Sequence, residues 1–242
     1  MEKSSNSVSN YNTSKFETQL INTVRDNLIV FTPSELKHLI GWDRTKINNI
    51  VQQLKNKGIV LRLKRNHYII NEDIEENIFR IATELFNPSY ISFWTALSYY
   101  GFTEQQPKSI QVVTPKRYSP IKIKSHTIIP ARMKPSRFFG YVRRDNFNLA
   151  EKEKAIIDSL AYPEKAGGLR EVVKAIRRAK INKGKLIAYL RKYDNISLNA
   201  RISYILNLKG LRLPNTYVKL DKNKPKSKKR NKKYMLMINN DI

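Results

Sequence analysis

Between Thr32 and Gly58 two helix-start signals and two helix-stop signals lie so close together that the chain can build only two short helices joined by a tight turn. Thr32-Pro33-Ser34-Glu35 has the form of a capping box, with a hydroxyl at the N-cap, proline at the first helical position and a glutamate three residues after the cap. Leu36, Leu39 and Ile40 supply the apolar face of the helix, and Gly41 supplies the residue that tolerates a left-handed backbone at its end. After Gly41-Trp42-Asp43, with Asp43 as the next N-cap, Ile47, Ile50, Val51 and Leu54 recur at helical spacing until Gly58. A first amphipathic helix precedes both, marked by Phe16, Leu20, Ile21 and Val24, and Leu28 to Phe31 is read as a short strand.

Beyond Gly58, Ile59, Leu61 and Leu63 alternate with Val60, Arg62 and Lys64, and Lys64-Arg65-Asn66 turns the chain into His67-Tyr68-Ile69-Ile70, a β-hairpin pattern. Two short helices, a three-residue turn and a basic two-stranded wing make a winged helix-turn-helix, so duplex DNA is the first expected partner. At about 100° per residue, the face of the second short helix opposite its apolar side carries Thr45, Asn49, Gln52 and Asn56, with Lys46, Asn48 and Gln53 on the shoulders. Amide side chains pair with the N6 and N7 edge of adenine, and Arg44 or Lys46 can take a guanine edge or a phosphate. Lys64 and Arg65 at the wing tip suit phosphate or minor-groove contact. The bland alternatives are a solvated polar helix face and a solubilising hairpin tip.

A chain of 242 residues holds more than this unit, which takes residues 13–73. The Ser/Asn-rich residues 1–12 are expected to be a disordered extension, and residues 74–242 a second domain. The chain has no cysteine, which excludes disulfides and thiolate metal sites, and no apolar run approaches the ~20 residues that span a bilayer. The expected compartment is the cytoplasm.

Formal charge is +26, and residues 163–242 hold 22 basic and five acidic residues. That third of the chain therefore either meets a polyanion or is matched by an acidic partner. Within it, residues 219–233 carry nine cations, among them Lys226, Lys228, Lys229 and Arg230, against the single acid Asp221. This reads as a self-repelling loop between ordered strands, because Tyr234-Met235-Leu236-Met237-Ile238 returns to an apolar run. Counterion release would make it a nonspecific nucleic-acid grip; a lysine-rich loop also arises from skewed genome composition alone.

The second domain is predicted to be α+β. Residues 73–85 read as a helix, Tyr90-Ile91-Ser92 leads into another through Tyr100, and strands are expected at 110–113, 121–123, 126–129 and 138–142. Helices are expected at 149–161, 169–179, 184–193 and 198–208. Arg170, Lys174, Arg177 and Arg178 fall on one helix face while Val172, Val173 and Ile176 point inward.

Several segments of this domain resemble a known family. Tyr90-Ile91-Ser92-Phe93-Trp94-Thr95-Ala96-Leu97-Ser98-Tyr99-Tyr100-Gly101-Phe102, Gln106-Pro107, Thr114-Pro115-Lys116-Arg117 and Ala150-Glu151-Lys152-Glu153-Lys154-Ala155-Ile156-Ile157-Asp158-Ser159-Leu160 are similar to the motifs of AbiEi-type antitoxins. The order, with a winged helix ahead of these motifs, matches too, over about residues 15–213. The resemblance implies a transcriptional repressor and antitoxin of a type IV toxin-antitoxin or phage-defence pair. Its winged helix would bind inverted repeats in its own promoter, and its C-terminal domain would counteract a nucleotidyltransferase-like toxin. It assigns no neutralising residues; Arg170, Lys174, Arg177, Arg178 and Arg191 are a surface suggested by their charge, against the plainer reading of a solvated helix face. The 219–233 stretch matches no motif of the family.

A metal-dependent nuclease or nucleotidyltransferase needs clustered carboxylates, whereas Glu164, Glu171, Asp194, Asp221 and Asp241 are widely spaced. His38, His67 and His126 fall in separate predicted elements, so no zinc site or catalytic triad is suggested. The expectation is no enzyme, no metal and no cofactor. A stand-alone winged-helix transcription factor or nucleic-acid-binding protein without a toxin partner fits the same residues. With no heptad seam, the expected state is a monomer in solution that pairs on DNA.

Overall fold

The computed structural model describes residues 12–72, 74–208, 229–231 and 236–238. The chain divides into two units, Met1–Ile81 and Ala82–Ile242. Their sum is a mixed α+β protein.

The first unit is a winged helix-turn-helix. Helix α1 (Lys15–Asn27) opens with a capping box in which Ser14 and Glu17 bond each other's backbone amides. The pair Thr32 and Glu35 does the same for α2 (Pro33–Ile40), and Gly41 closes that helix at φ 77. Three residues later α3 (Arg44–Asn56) begins under the Asp43 carboxylate, which accepts from the Lys46 amide. Strands β1 (Val60–Lys64) and β2 (His67–Ile70) pair antiparallel as the wing, with Asn66 at φ 59 in the turn. One core serves all these elements: Leu20, Phe31, Leu36, Ile47 and Leu54 are fully buried in it. The strand expected at 28–31 shrinks to Phe31, whose N–H and carbonyl both bond Tyr68 at 2.9 Å. Leu28 still caps α1 through Val24 and Thr32 already caps α2, so no length remains for a strand.

Helix α4 (Ile74–Leu85) starts in the first unit and ends in the second. A two-residue strand β3 (Tyr90–Ile91) then leads to α5 (Phe93–Tyr99). Strands β4 (Ile110–Thr114), β5 (Ile121–Ile123), β6 (His126–Arg132), β7 (Tyr141–Arg144) and β8 (Phe147–Ala150) complete a six-stranded sheet in the order β5-β6-β4-β3-β8-β7. β3 pairs antiparallel with β4 and parallel with β8, and β4 pairs parallel with β6. Pro130 sits inside β6 beyond the last residue paired to β5, where a missing N–H costs no ladder bond on that side. Helices α6 (Lys152–Ala161), α7 (Leu169–Arg178), α8 (Lys183–Tyr193) and α9 (Ile196–Leu208) follow.

Four expectations for this unit are corrected or refined. Tyr90–Ile91 leads into α5 as expected, but it is itself a strand inside the sheet, paired on both sides. The strand expected at 138–142 begins only at Tyr141, because Pro135–Arg137 forms a 3-10 turn and Gly140, at φ 71, redirects the chain. Residues 149 and 150 end β8, Leu149 paired with strands on both sides and Ala150 with Tyr141, so the helix expected from 149 starts at Lys152 after the extended Glu151. In the basic segment, Lys229 and Arg230 belong to β9 (Lys229–Asn231), which pairs antiparallel with β10 (Leu236–Ile238), not to a loop. Residues 1–11, Asp73, Lys226, Lys228 and the remainder of 209–228 lie outside the described residues. Among the described residues, no helix is long and apolar enough to cross a membrane.

Candidate nucleic-acid interface

Helix α3 faces two ways. Ile47, Ile50, Val51 and Leu54 are buried, while Arg44, Thr45, Asn48, Asn49, Gln52, Gln53 and Asn56 are exposed. The polar face is also partly pre-set, because Gln52 Nε2 donates to Asn56 Oδ1 at 2.9 Å. That bond takes one N–H of the Gln52 amide; its oxygen and second N–H are the pair of atoms that adenine recognition uses.

Lys46 is placed differently from its neighbours. Its Nζ lies 3.7 Å from the Phe16 ring centroid and 4.5 Å from that of Trp42, and those two rings meet edge to face at 5.5 Å. The charge is spent partly on holding α1 against the turn and the start of α3. Asp43, beneath the same turn, accepts from the amides of Lys46, Thr45 and Arg44, and these bonds hold its carboxyl below the usual range. An anion at the N-cap is what the helix dipole favours. At the wing, Arg65 is exposed in the turn and Lys64 is half-buried at the end of β1. Arg65 also offers its carbonyl to His67 Nδ1 at 2.9 Å.

The base of the unit is pinned by Glu17, which is 2% exposed. Burial pushes its carboxyl up, but hydrogen bonds from Lys57, at 2.8 Å, and from the Ser14 amide outweigh that and leave it lowered. Arg25 adds a fork onto Glu72, with its shortest contact at 2.6 Å.

The basic face expected on α7 is thinner than its sequence suggests. Arg170, Lys174, Arg177 and Arg178 are all exposed, yet Lys174 pairs with Glu171 and Arg178 with Glu104, both at 2.8 Å. Arg191 is exposed on α8. Among the described residues, no three His, Asp or Glu side chains gather where they could hold a metal ion.

Sequence reasoning missed a buried polar cluster that joins two of the motif segments. Lys154 and Asp158, one turn apart on α6, are both 0% exposed and form an ion pair. Tyr90 Oη donates to Asp158 Oδ2 at 3.1 Å, Ser92 Oγ to the same oxygen at 2.9 Å, and Lys154 Nζ to Tyr90 Oη at 2.9 Å. Burial pushes Asp158 up and Lys154 down, each opposed by the other's charge. Burial and the neighbouring Asp158 charge raise Tyr90 well above its ordinary value. A lysine and an aspartate at i and i+4, set among Ala155, Ile156, Ile157 and Leu160, are the one sequence sign of this arrangement. Next to Ser92, the fully buried Phe93 sits at φ 52, a left-handed conformation that a bulky residue keeps only when its surroundings enforce it.

No family model and no curated protein matches the chain. Among solved structures, the RV2827C protein from Mycobacterium tuberculosis is similar in fold, with a TM-score of 0.54 at 14% identity over 79% of this chain and 76% of that one. At that identity the likeness speaks for the fold alone.

Proposed function

We propose that this protein is a DNA-binding transcriptional repressor and the antitoxin of a type IV toxin-antitoxin pair. The single observation that carries the DNA half is the amide-lined, acid-free, exposed face of α3 on a winged helix-turn-helix, with Arg65 exposed at the wing tip. Thr45, Asn49 and Gln52 read base edges in the major groove, while Arg44 and the wing cations Lys64 and Arg65 grip phosphates. Two copies meet on an inverted repeat in the protein's own promoter.

The antitoxin half rests on the resemblance of residues 90–102, 106–107, 114–117 and 150–160 to AbiEi-type motifs. Of these segments, the first and the last hold the residues of the buried Tyr90–Ser92–Lys154–Asp158 cluster. The partner in this reading is a nucleotidyltransferase-like toxin.

A mobility-shift titration of the full chain on its own upstream DNA tests the repressor role. Tight binding to an inverted repeat, against weak binding to unrelated duplex at the same salt, is expected; equal affinity for both overturns it. Co-expression with the toxin encoded next to it tests the antitoxin role, with restored growth expected. If no nucleotidyltransferase-like gene lies beside this one, the reading as a lone winged-helix regulator takes its place.

A further inference from the structure

The second unit contains a cleft of about 440 Å³ between the start of α5, the loop before β4, the face of β6 and the turn that precedes α7. Its volume is that of a small-molecule site. Its floor is apolar, from Ile129 and Ala131, and one wall is the indole of Trp94. That ring is held tightly: a Cβ added to Gly167, which sits at φ 76, would lie 2.9 Å from Trp94 Cη2 and Cζ2. The flat wall is therefore formed in advance, so a ligand that stacks on it does not have to order it.

Around this wall, hydrogen-bond donors outnumber acceptors. The Trp94 indole N–H is buried and has no acceptor among the described residues. Gln111 is 8% exposed, and its amide oxygen is taken by the Thr95 amide and hydroxyl, both at 3.2 Å, which leaves its NH2 group to face a ligand. Lys108 and Lys165 line the cleft without an acid partner among the described residues, and Glu164 is the one carboxylate beside them.

We infer that this cleft is a binding site for a nucleotide unit, with the base on Trp94 and the phosphate on Lys108 and Lys165. A flat ring stacks on Trp94 while its acceptor nitrogen and oxygen atoms answer the Gln111 NH2, Glu164 accepts from an exocyclic amine, and an anionic group answers the lysines. Stacking on an aromatic wall beside lysines is how single nucleotides are held without sequence readout. The unit comes either as a free nucleoside monophosphate or as a residue of a single strand. The site lies wholly within the second unit and does not depend on DNA binding by α3.

The test follows Trp94 emission in the full chain carrying Trp42→Phe, which leaves Trp94 as the sole tryptophan. Adenosine and uridine 5′-monophosphate, a five-residue single-stranded oligonucleotide and inorganic phosphate are titrated separately. A saturable change is expected with a monophosphate or with the oligonucleotide, the two arms separating free from strand-borne nucleotide, and none with phosphate alone. Replacing Lys108 and Lys165 by Glu, both outside the folded core, is expected to weaken that binding by about tenfold or more, the loss of a charge-assisted contact. Silence from both nucleotide forms, an equal response to phosphate, or unchanged affinity in the double-lysine variant overturns the assignment.

Discussion

Asn49 and Gln52 are exposed on α3, and on the proposed reading each contacts a base edge. Asn49→Ala and Gln52→Ala are each expected to weaken binding to the promoter repeat by about 1–3 kcal/mol while leaving affinity for unrelated duplex unchanged, measured by competition mobility shift. Equal losses on both DNAs would make these residues backbone contacts. Glu17 yields a second prediction, with a definite sign. Its folded carboxyl is lowered from the ordinary 4.5, so its stabilisation is complete above that pH and is lost as pH falls through the lower folded value. Glu17→Gln should therefore lower neutral-pH stability by about 1 kcal/mol and flatten the acid side of the stability curve in urea titrations at several pH values. Side chains answering to helical period alone were legible in the sequence: every residue expected on the outer face of α3 is exposed except the half-buried Lys46. Lys46 escaped because its environment comes from Phe16, thirty positions away in another helix, and periodicity within one element carries no such information.

Among elements, the α6–β3 joint depends most on a few polar atoms. Removing one member of a buried, hydrogen-bonded ion pair leaves the other charge stranded, at a cost of roughly 3–5 kcal/mol. Lys154→Met should thus be strongly destabilising in thermal and urea melts, and adding Asp158→Asn should recover part of the loss by removing the orphaned charge. A double variant no more stable than Lys154→Met would show that Asp158 is held up by Tyr90 and Ser92 without need of Lys154. The same joint shows where reading elements from sequence runs out. N-cap side chains and left-handed glycines wrote α2 and α3 into the chain within a residue or two, because the atoms that start and stop those helices are local. Tyr90–Ile91 and Leu149–Ala150 are strands only because each has the other, and further strands, beside it. A two-residue strand at the centre of a sheet has no alternation to read, and its partners lie about twenty and about sixty residues on.

Over the whole molecule, the charge is unevenly shared between the face of α3 and the basic segment at 219–233. The total is +26, and the last third of the chain supplies most of it, whereas the face of α3 is largely neutral. Sequence discrimination and salt-dependent attraction should therefore be separable by mutation. Each phosphate contact contributes a slope of about −0.9 to the dependence of log affinity on log salt, whatever the base sequence. Replacing Lys222, Lys224, Lys226 and Lys228 by glutamine is expected to make that slope shallower by the same amount on the promoter repeat and on unrelated duplex, leaving the ratio of the two affinities intact. Asn49→Ala with Gln52→Ala should do the opposite, lowering the ratio at unchanged slope. Fluorescence-anisotropy titrations at four salt concentrations on both DNAs distinguish the two patterns. If the glutamine variant binds as tightly as the parent throughout, the cations of residues 222–228 do not meet nucleic acid. Their charge must then be matched by an acidic protein surface, and the toxin would become the first partner to test for it.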